Sequence, residues 1–208
     1  MIELMLLSPD MAARRRIGFD ALYWEVRKLA MQIINPDTFT TALARVPTIK
    51  PRIKREVRFT ASVADMTERD WAERELVAIY DRSRTKGVLI MQPYDALYMV
   101  AFESGGVVRD SGSGRSKSVI CDFCYSWRAG GNAGLVTFYA DARSHDSTSQ
   151  LCCLDLLCSL HVRTKTKDAL LSRAQLREHM SDEDRIVRLK EHLQSFVDKL
   201  NLHPVDIG

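Results

Sequence analysis

Residues 121–163 read CDFCYSWRAGGNAGLVTFYADARSHDSTSQLCCLDLLCSLHVR, and all five cysteines of the chain fall within them. Cys121 and Cys124 form a C-x-x-C pair, the spacing at which a tight backbone turn aims two thiolates at one ion. The second set is less regular: four residues separate Cys153 from Cys158, and five separate Cys152 from Cys158. Neighbouring strand residues point to opposite faces, so Cys152 and Cys153 are not expected to reach the same ion. His145 and His161 are the nearby side chains that could each replace a cysteine.

Thiols clustered in this way, in a chain without an export signal, hold metal more often than they pair as disulfides. Two alternatives are weaker. Free cysteines do pack as small hydrophobes, but five in so short a stretch exceed that need. A redox C-x-x-C normally opens a helix after a strand, whereas strand-like residues and a glycine turn follow Cys124. The ion expected is one zinc. Four thiolates complete its tetrahedron and leave no position for water, so its role is structural. Such a site can supply about 10–16 kcal/mol of apparent folding free energy.

Around the thiols, Val119–Tyr125 and Leu135–Tyr139 read as strands, joined by the turn Ala129-Gly130-Gly131-Asn132. The second cysteine pair sits where a strand ends and a helix begins. Knuckle, hairpin, helix is the layout of a treble-clef zinc finger. Further along, Ser172 heads a short helical run. Ser181, followed by Asp182, Glu183 and Asp184, is an N-cap with acidic residues at the positive helix end. Ile186, Leu189, Leu193, Phe196 and Leu200 keep one apolar face behind it.

Upstream the pattern is more helical. Leu22, Val26, Leu29 and Ile33 place an amphipathic helix from Asp10 to about Ile34. Asn35-Pro36 starts another, with Phe39, Leu43 and Val46 on one face. Pro47 and Pro51 interrupt a basic run holding Arg45, Lys50, Arg52, Lys54, Arg55 and Arg58. Thr67 with Asp70 opens a helix expected to carry Trp71, Leu76, Ile79 and Tyr80 and to end near Gly87. Val88–Gln92 and Ala96–Phe102 read as strands, and Ser104–Ser118 as an exposed, mobile loop. The expected fold is α+β, with a helical N-terminal domain over residues 1–86 and a zinc-binding treble-clef domain with C-terminal helices over 87–208.

The apolar content is 46%, enough for a real core, and the net charge is only +3 from 30 basic and 27 acidic side chains. That balance argues against a surface built wholly for nucleic acid. The opening MIELMLLSPD has no basic n-region, and Arg14–Arg16 follow its apolar run, the wrong order for a secretory signal. No run is long enough to span a membrane. The default expectation is a cytoplasmic protein with no membrane association.

The stretch from Ile120 to about Val197 resembles the FusB-type elongation-factor-G-binding family, also catalogued under the older label of fibronectin-binding protein. The likeness lies in Cys121-Asp122-Phe123-Cys124 with Trp127, in Gly134-Leu135-Val136-Thr137-Phe138, in Cys153-Leu154-Asp155 leading to Cys158-Ser159-Leu160, and in Val162-Arg163. The helical tail SRAQLREHMSDEDRIVRLKEHLQSFV adds to it. The resemblance implies a helical bundle ahead of the zinc-bearing domain, and a treble-clef finger ligated by Cys121, Cys124, Cys153 and Cys158. It also implies a non-enzymatic role: binding elongation factor G and helping it leave the ribosome, which in resistance-type members relieves inhibition by fusidic acid.

Trp127, Arg128, Arg163, Lys165 and Lys167 flank the ligands and are the expected partner-binding residues, since Arg and Trp dominate interface anchors and basic groups suit an acidic partner. The alternative is direct contact with ribosomal RNA through the same patch and Arg45–Arg58, with steep salt dependence. An enzyme is not expected, nor a small-molecule substrate. The sequence has no Gly-rich phosphate loop, H-E-x-x-H pair or G-x-S-x-G elbow. Asp155 reads as a helix cap or a support for the ligands.

Overall fold

A computed structural model describes residues 31–59, 61–141 and 147–207. Helix α1 (Pro36–Arg45) opens as its sequence requires. The Asn35 side chain accepts hydrogen bonds from the N–H groups of Asp37 and Thr38, and Thr38 Oγ1 accepts from Asn35 N. Proline stands at the first helical position, where its missing donor costs nothing. Helices α2 (Pro51–Glu56), α3 (Ala61–Ala64) and α4 (Glu68–Ala72) follow. The Thr67–Asp70 pair caps α4 reciprocally, at 3.2 Å and 2.9 Å. Of the expected Asp10–Ile34 helix, everything up to Ala30 lies outside the described residues, and residues 31–35 carry no helix.

The helix expected to run from Thr67 to about Gly87 stops at Ala72. Leu76–Tyr80 is instead strand β1. A continuous apolar run cannot be assigned by periodicity alone, and this one is buried on both faces. Leu76 and Tyr80 enter one core cluster, while Val77 and Ile79 enter another. Strand β1 pairs antiparallel with β2 (Lys86–Met91), so one sheet contains residues on both sides of position 86. The sheet continues through β3 (Tyr98–Val107) to two later strands, β6 (Ala133–Tyr139) and β7 (Ser147–Cys153), in the order β1-β2-β3-β6-β7 with every pair antiparallel.

Alternation along β2 assigns the two faces. Val88 and Ile90 meet Phe39, Leu43, Ile53 and Trp71 of the N-terminal helices. Leu89 and Met91 meet the cysteines and the C-terminal helix. The segment expected as a loop from Ser104 is strand as far as Val107, with a register shift between those two residues. Gly134 makes the shift possible, because a Cβ there would lie 2.0 Å from the Gly106 carbonyl oxygen. Beyond Val107 the chain turns through an exposed hairpin pinned by the Arg109–Ser116 bridge.

The expected strand Val119–Tyr125 is reduced to β4 (Val119–Ile120), which pairs with β5 (Trp127–Arg128). Cys121–Cys124 must turn to converge their thiols, and so leave the ladder. After β7 come α5 (Cys158–Val162), α6 (Lys167–Leu176) and α7 (Asp182–Lys199). Thr166, not Ser172, caps α6, accepting from Ala169 N at 3.1 Å. Ser181 caps α7 as read from sequence, and Leu189, Leu193 and Phe196 are buried along one face. Phe196 packs on Phe138 and Phe123 with ring centroids 4.9 Å and 5.1 Å away.

Candidate metal centre

Each half of the centre is shaped by backbone bonds before any ion is considered. In the first knuckle Tyr125 N donates to Cys121 O, Cys121 N donates to Ser126 O, and Tyr125 adopts a left-handed φ of 58°. Asp122 latches the knuckle to β7, its N–H donating to Leu151 O and its carboxylate accepting from Leu151 N, both at 2.7 Å. From α7, His192 Nδ1 donates to the Phe123 carbonyl at 2.9 Å. In the second half, Cys153 ends β7, Leu156 N donates to Cys153 O, and Cys158 opens α5.

These elements bring Cys121, Cys124, Cys153 and Cys158 together, with all four sulfurs within 4.8 Å of one another and every residue buried. Cys121 Sγ lies 3.8 Å from Cys158 Sγ, and Cys124 Sγ lies 3.6 Å from Cys153 Sγ. A tetrahedral zinc with bonds of about 2.3 Å requires sulfur–sulfur edges of roughly 3.8 Å. The donors therefore fit the ion. No disulfide joins these thiols, and their separations exceed an S–S bond of about 2.05 Å. Cys152 is buried outside the set, and burial pushes its thiol well up. The ambiguity between Cys152 and Cys153 is resolved for Cys153.

Electrostatics favour the same conclusion. Burial opposes ionising Cys124, yet hydrogen bonds from the Cys153 and Cys158 thiols bring it down to about 7. Cys121 is likewise held well below its ordinary value, by hydrogen bonds from the other thiols that overcome burial. Cys153 and Cys158 are driven up, chiefly by hydrogen bonding to the Cys121 and Cys124 sulfurs. Four thiolates can coexist there only around a cation.

A cluster of four side chains centred on the buried Arg128 supports the ligand loop. Arg128 is 2% exposed, and its Nη2 contacts Asp155 Oδ2 at 2.9 Å and Asp168 Oδ2 at 3.0 Å. Its Nη1 lies 3.0 Å from His161 Nε2. Asp155 Oδ1 accepts from Leu157 N, fixing the turn between Cys153 and Cys158. His161 Nε2 meets Arg128 and lies 3.4 Å from Asp155 Oδ2; it is not in the four-sulfur set, though with Cys153 and Asp155 it forms a second group of converging donors. His145 lies outside the described residues. A zinc held by four thiolates is a net anion, and a guanidinium buried beside it compensates that charge.

The five residues expected to face a partner are placed differently from one another. Arg128 is withdrawn among Asp155, Asp168 and His161. Arg163 is half-buried and forms a two-pronged pair with buried Glu75, at 2.8 Å and 2.6 Å. Neither is a solvent-facing anchor, because each guanidinium is consumed by carboxylates from distant segments. Trp127 is half-buried, its N–H donating to Ser172 Oγ at 2.8 Å. Lys165, paired with Glu73, and Lys167, at the start of α6, remain exposed. Sequence reasoning missed Glu75, Asp122 and His192; the only local hint was Asp122 lying inside the C-x-x-C pair.

The family model for the FBP C-terminal treble-clef zinc-finger matches residues 52–200 of this chain. No curated protein and no solved structure gives a significant match.

Proposed function

The chain belongs to the FBP C-terminal treble-clef zinc-finger family, and from that premise we propose that it is a non-enzymatic module that docks on translation elongation factor G and promotes its release from the ribosome. The observation carrying this reading is the closed donor set: four buried sulfurs within 4.8 Å. A filled tetrahedron offers no position to water or substrate, so the zinc supplies rigidity and not reactivity. What it stiffens is the loop between Cys153 and Cys158 and the start of α5. The exposed Lys165 and Lys167 follow that helix and suit an acidic protein surface. Arg128 and Arg163 contribute from beneath, by holding the platform in shape. The cytoplasm is where such a partner is found, and release of the factor is the step that would relieve fusidic acid.

A second reading, direct contact with ribosomal RNA through the ligand-flanking patch and the Arg45–Arg58 run, draws on the exposed side chains of Arg45, Lys50, Arg52, Arg55 and Arg58. A pull-down from bacterial lysate separates the two, run with wild type and Cys153→Ser, with and without nuclease. Recovery of elongation factor G by the wild type only, unchanged by nuclease, is the expected outcome, followed by saturable binding to the purified factor. Recovery of RNA alone, or a capture that nuclease abolishes, would overturn it. Among the described residues no helix is long and apolar enough to cross a membrane.

A further inference from the structure

A cleft of about 200 Å³ opens between β1 and the zinc-ligand loop, lined on the apolar side by Met66, Leu76 and Leu157 and on the polar side by Arg74, Arg84 and Asp155. We propose that this cleft is a carboxylate-binding site, in which Arg74 and Arg84 receive an acidic side chain of a protein partner while Leu157 and Met66 pack its apolar neighbour. The choice of a protein as occupant rests on the docking function proposed above.

The charges in the cleft do not cancel internally. Asp155 is engaged by Arg128 and by Leu157 N. The Tyr80 hydroxyl, in the same wall, donates to Leu154 O at 3.3 Å. Arg74 differs: its Nε is buried with no hydrogen-bond partner among the described residues. The carboxylates that act on its charge are Asp70, Glu73 and Glu75. Each is hydrogen-bonded elsewhere, to Thr67, Lys165 and Arg163 respectively. Burial pulls the Arg74 pKa below its ordinary value, as expected of a cation with too little compensation. Arg74 and Arg84 both line the cleft, and a carboxylate seated there would supply charge compensation to Arg74.

Arg84 is pre-positioned from the other side. Its guanidinium lies over the Tyr80 ring, 4.5 Å from the centroid. Its backbone takes a left-handed φ of 57° within the turn that Asp81 organises through Ser83, Thr85 and Lys86. The volume also limits the occupant. Cofactor and drug pockets run to about 300–1,000 Å³, so this cleft takes a side chain and not a nucleotide. Leu157, 38% exposed, stands directly before ligand Cys158, so the metal fixes the position of the rim.

The test uses the zinc-loaded full chain, ¹⁵N-labelled, titrated with acetyl-Leu-Glu-amide and with its neutral analogue acetyl-Leu-Gln-amide. The acidic peptide is expected to shift the Arg74 and Arg84 Nε–H resonances saturably, on the order of millimolar. The neutral peptide should bind about tenfold or more weakly, and added salt should close the gap. The double variant Arg74→Gln/Arg84→Gln, checked for unchanged zinc content, should lose the response and bind elongation factor G about tenfold or more weakly. Equal response to both peptides, no response, or tighter competition by an RNA oligonucleotide would overturn the site. Should the double variant bind the factor as tightly as wild type, the cleft is not the docking site while the factor assignment stands. Should wild type take the acidic peptide but not the factor, the cleft stands and the factor assignment falls.

Discussion

The two faces of the sheet are stabilised by different chemistry, although β1 and β2 contribute alternate residues to both. On the face covered by the N-terminal helices the core is hydrocarbon and aromatic: Phe39, Leu43, Ile53, Trp71, Val88 and Ile90. On the opposite face Leu89, Phe138 and Phe196 share their cluster with five cysteines. The first cluster holds no thiol and no buried charge among its described members. The second holds thiols that must ionise in a dry interior, so its order is conditional on a cation. A single sheet is thus expected to join a layer stable without metal to a metal-dependent one, with the proposed docking surface on the dependent layer.

The largest predicted effect separates the two directly. Removing zinc with a strong chelator, or replacing Cys158 by Ser, should abolish stoichiometric metal by elemental analysis. The apparent folding free energy lost with the ion is on the order of 10 kcal/mol. Hydrogen exchange should accelerate at Cys121–Cys124 and through α5 while α1 and β2 stay comparatively protected. Uniform loss of protection on both faces would show that the layers are not separable in this way.

Core truncation sharpens the contrast at smaller scale. Trp71→Ala and Phe196→Ala should each cost about 3–5 kcal/mol in denaturant unfolding. They should differ in their effect on zinc, because Phe196 packs on Phe123 inside the knuckle, 5.1 Å between centroids, whereas Trp71 lies in the other cluster. Zinc affinity should fall for Phe196→Ala and hold for Trp71→Ala. Below these lies Asp155→Asn, which leaves the sulfurs in place but weakens the pair with Arg128. A loss of roughly 10–100-fold in zinc affinity is expected, as for other residues that orient metal ligands. Competition with a chromophoric chelator reads it, and an unchanged affinity would reduce the Arg128 cluster to a packing feature.

The asymmetry also explains what could be read from the chain. The C-x-x-C pair and its thiol-rich counterpart were legible because thiol spacing near a turn is a local signal, although spacing left Cys152 and Cys153 to be told apart by the fold; Ser181 or Asn35 as helix starts are local signals too. Strand β1 was not, because Leu76–Tyr80 is apolar at every position and matches a buried helix as well as a strand. The end of strand β7 at the second cysteine pair was expected, but its start, Ser147-Thr148-Ser149-Gln150, is polar without a strand pattern of its own and is placed by pairing with β6. Arg128 looked like an anchor since nothing near it in sequence shows that Asp155, 27 residues on, will pair with it. Local chemistry was visible, and partners brought in by the fold were not.

Acid should resolve the two layers in sequence, and this is the mildest test. On the zinc face, protons compete with metal for the thiolates, so affinity falls as pH falls, and loss of the ion should come first, at mildly acidic pH. On the helical face the relevant group is Asp70. Hydrogen bonds from the Thr67 side chain and backbone hold its carboxyl below the ordinary value. A depressed folded-state pKa means that the cap contributes above the unfolded carboxylate value of about 3.9 and fades as pH drops through the folded one. The start of α4 should therefore be intact when zinc has already left, and weaken only in stronger acid. Because Asp70 is solvent-exposed, its own contribution is small and is best read as a titration of the Asp70 side-chain signal. Asp70→Asn should remove this second step without moving the first. Were zinc release and the Asp70 titration to coincide at one pH, the helical face would depend on the metal after all, and the division of the sheet into independent and conditional layers would be lost.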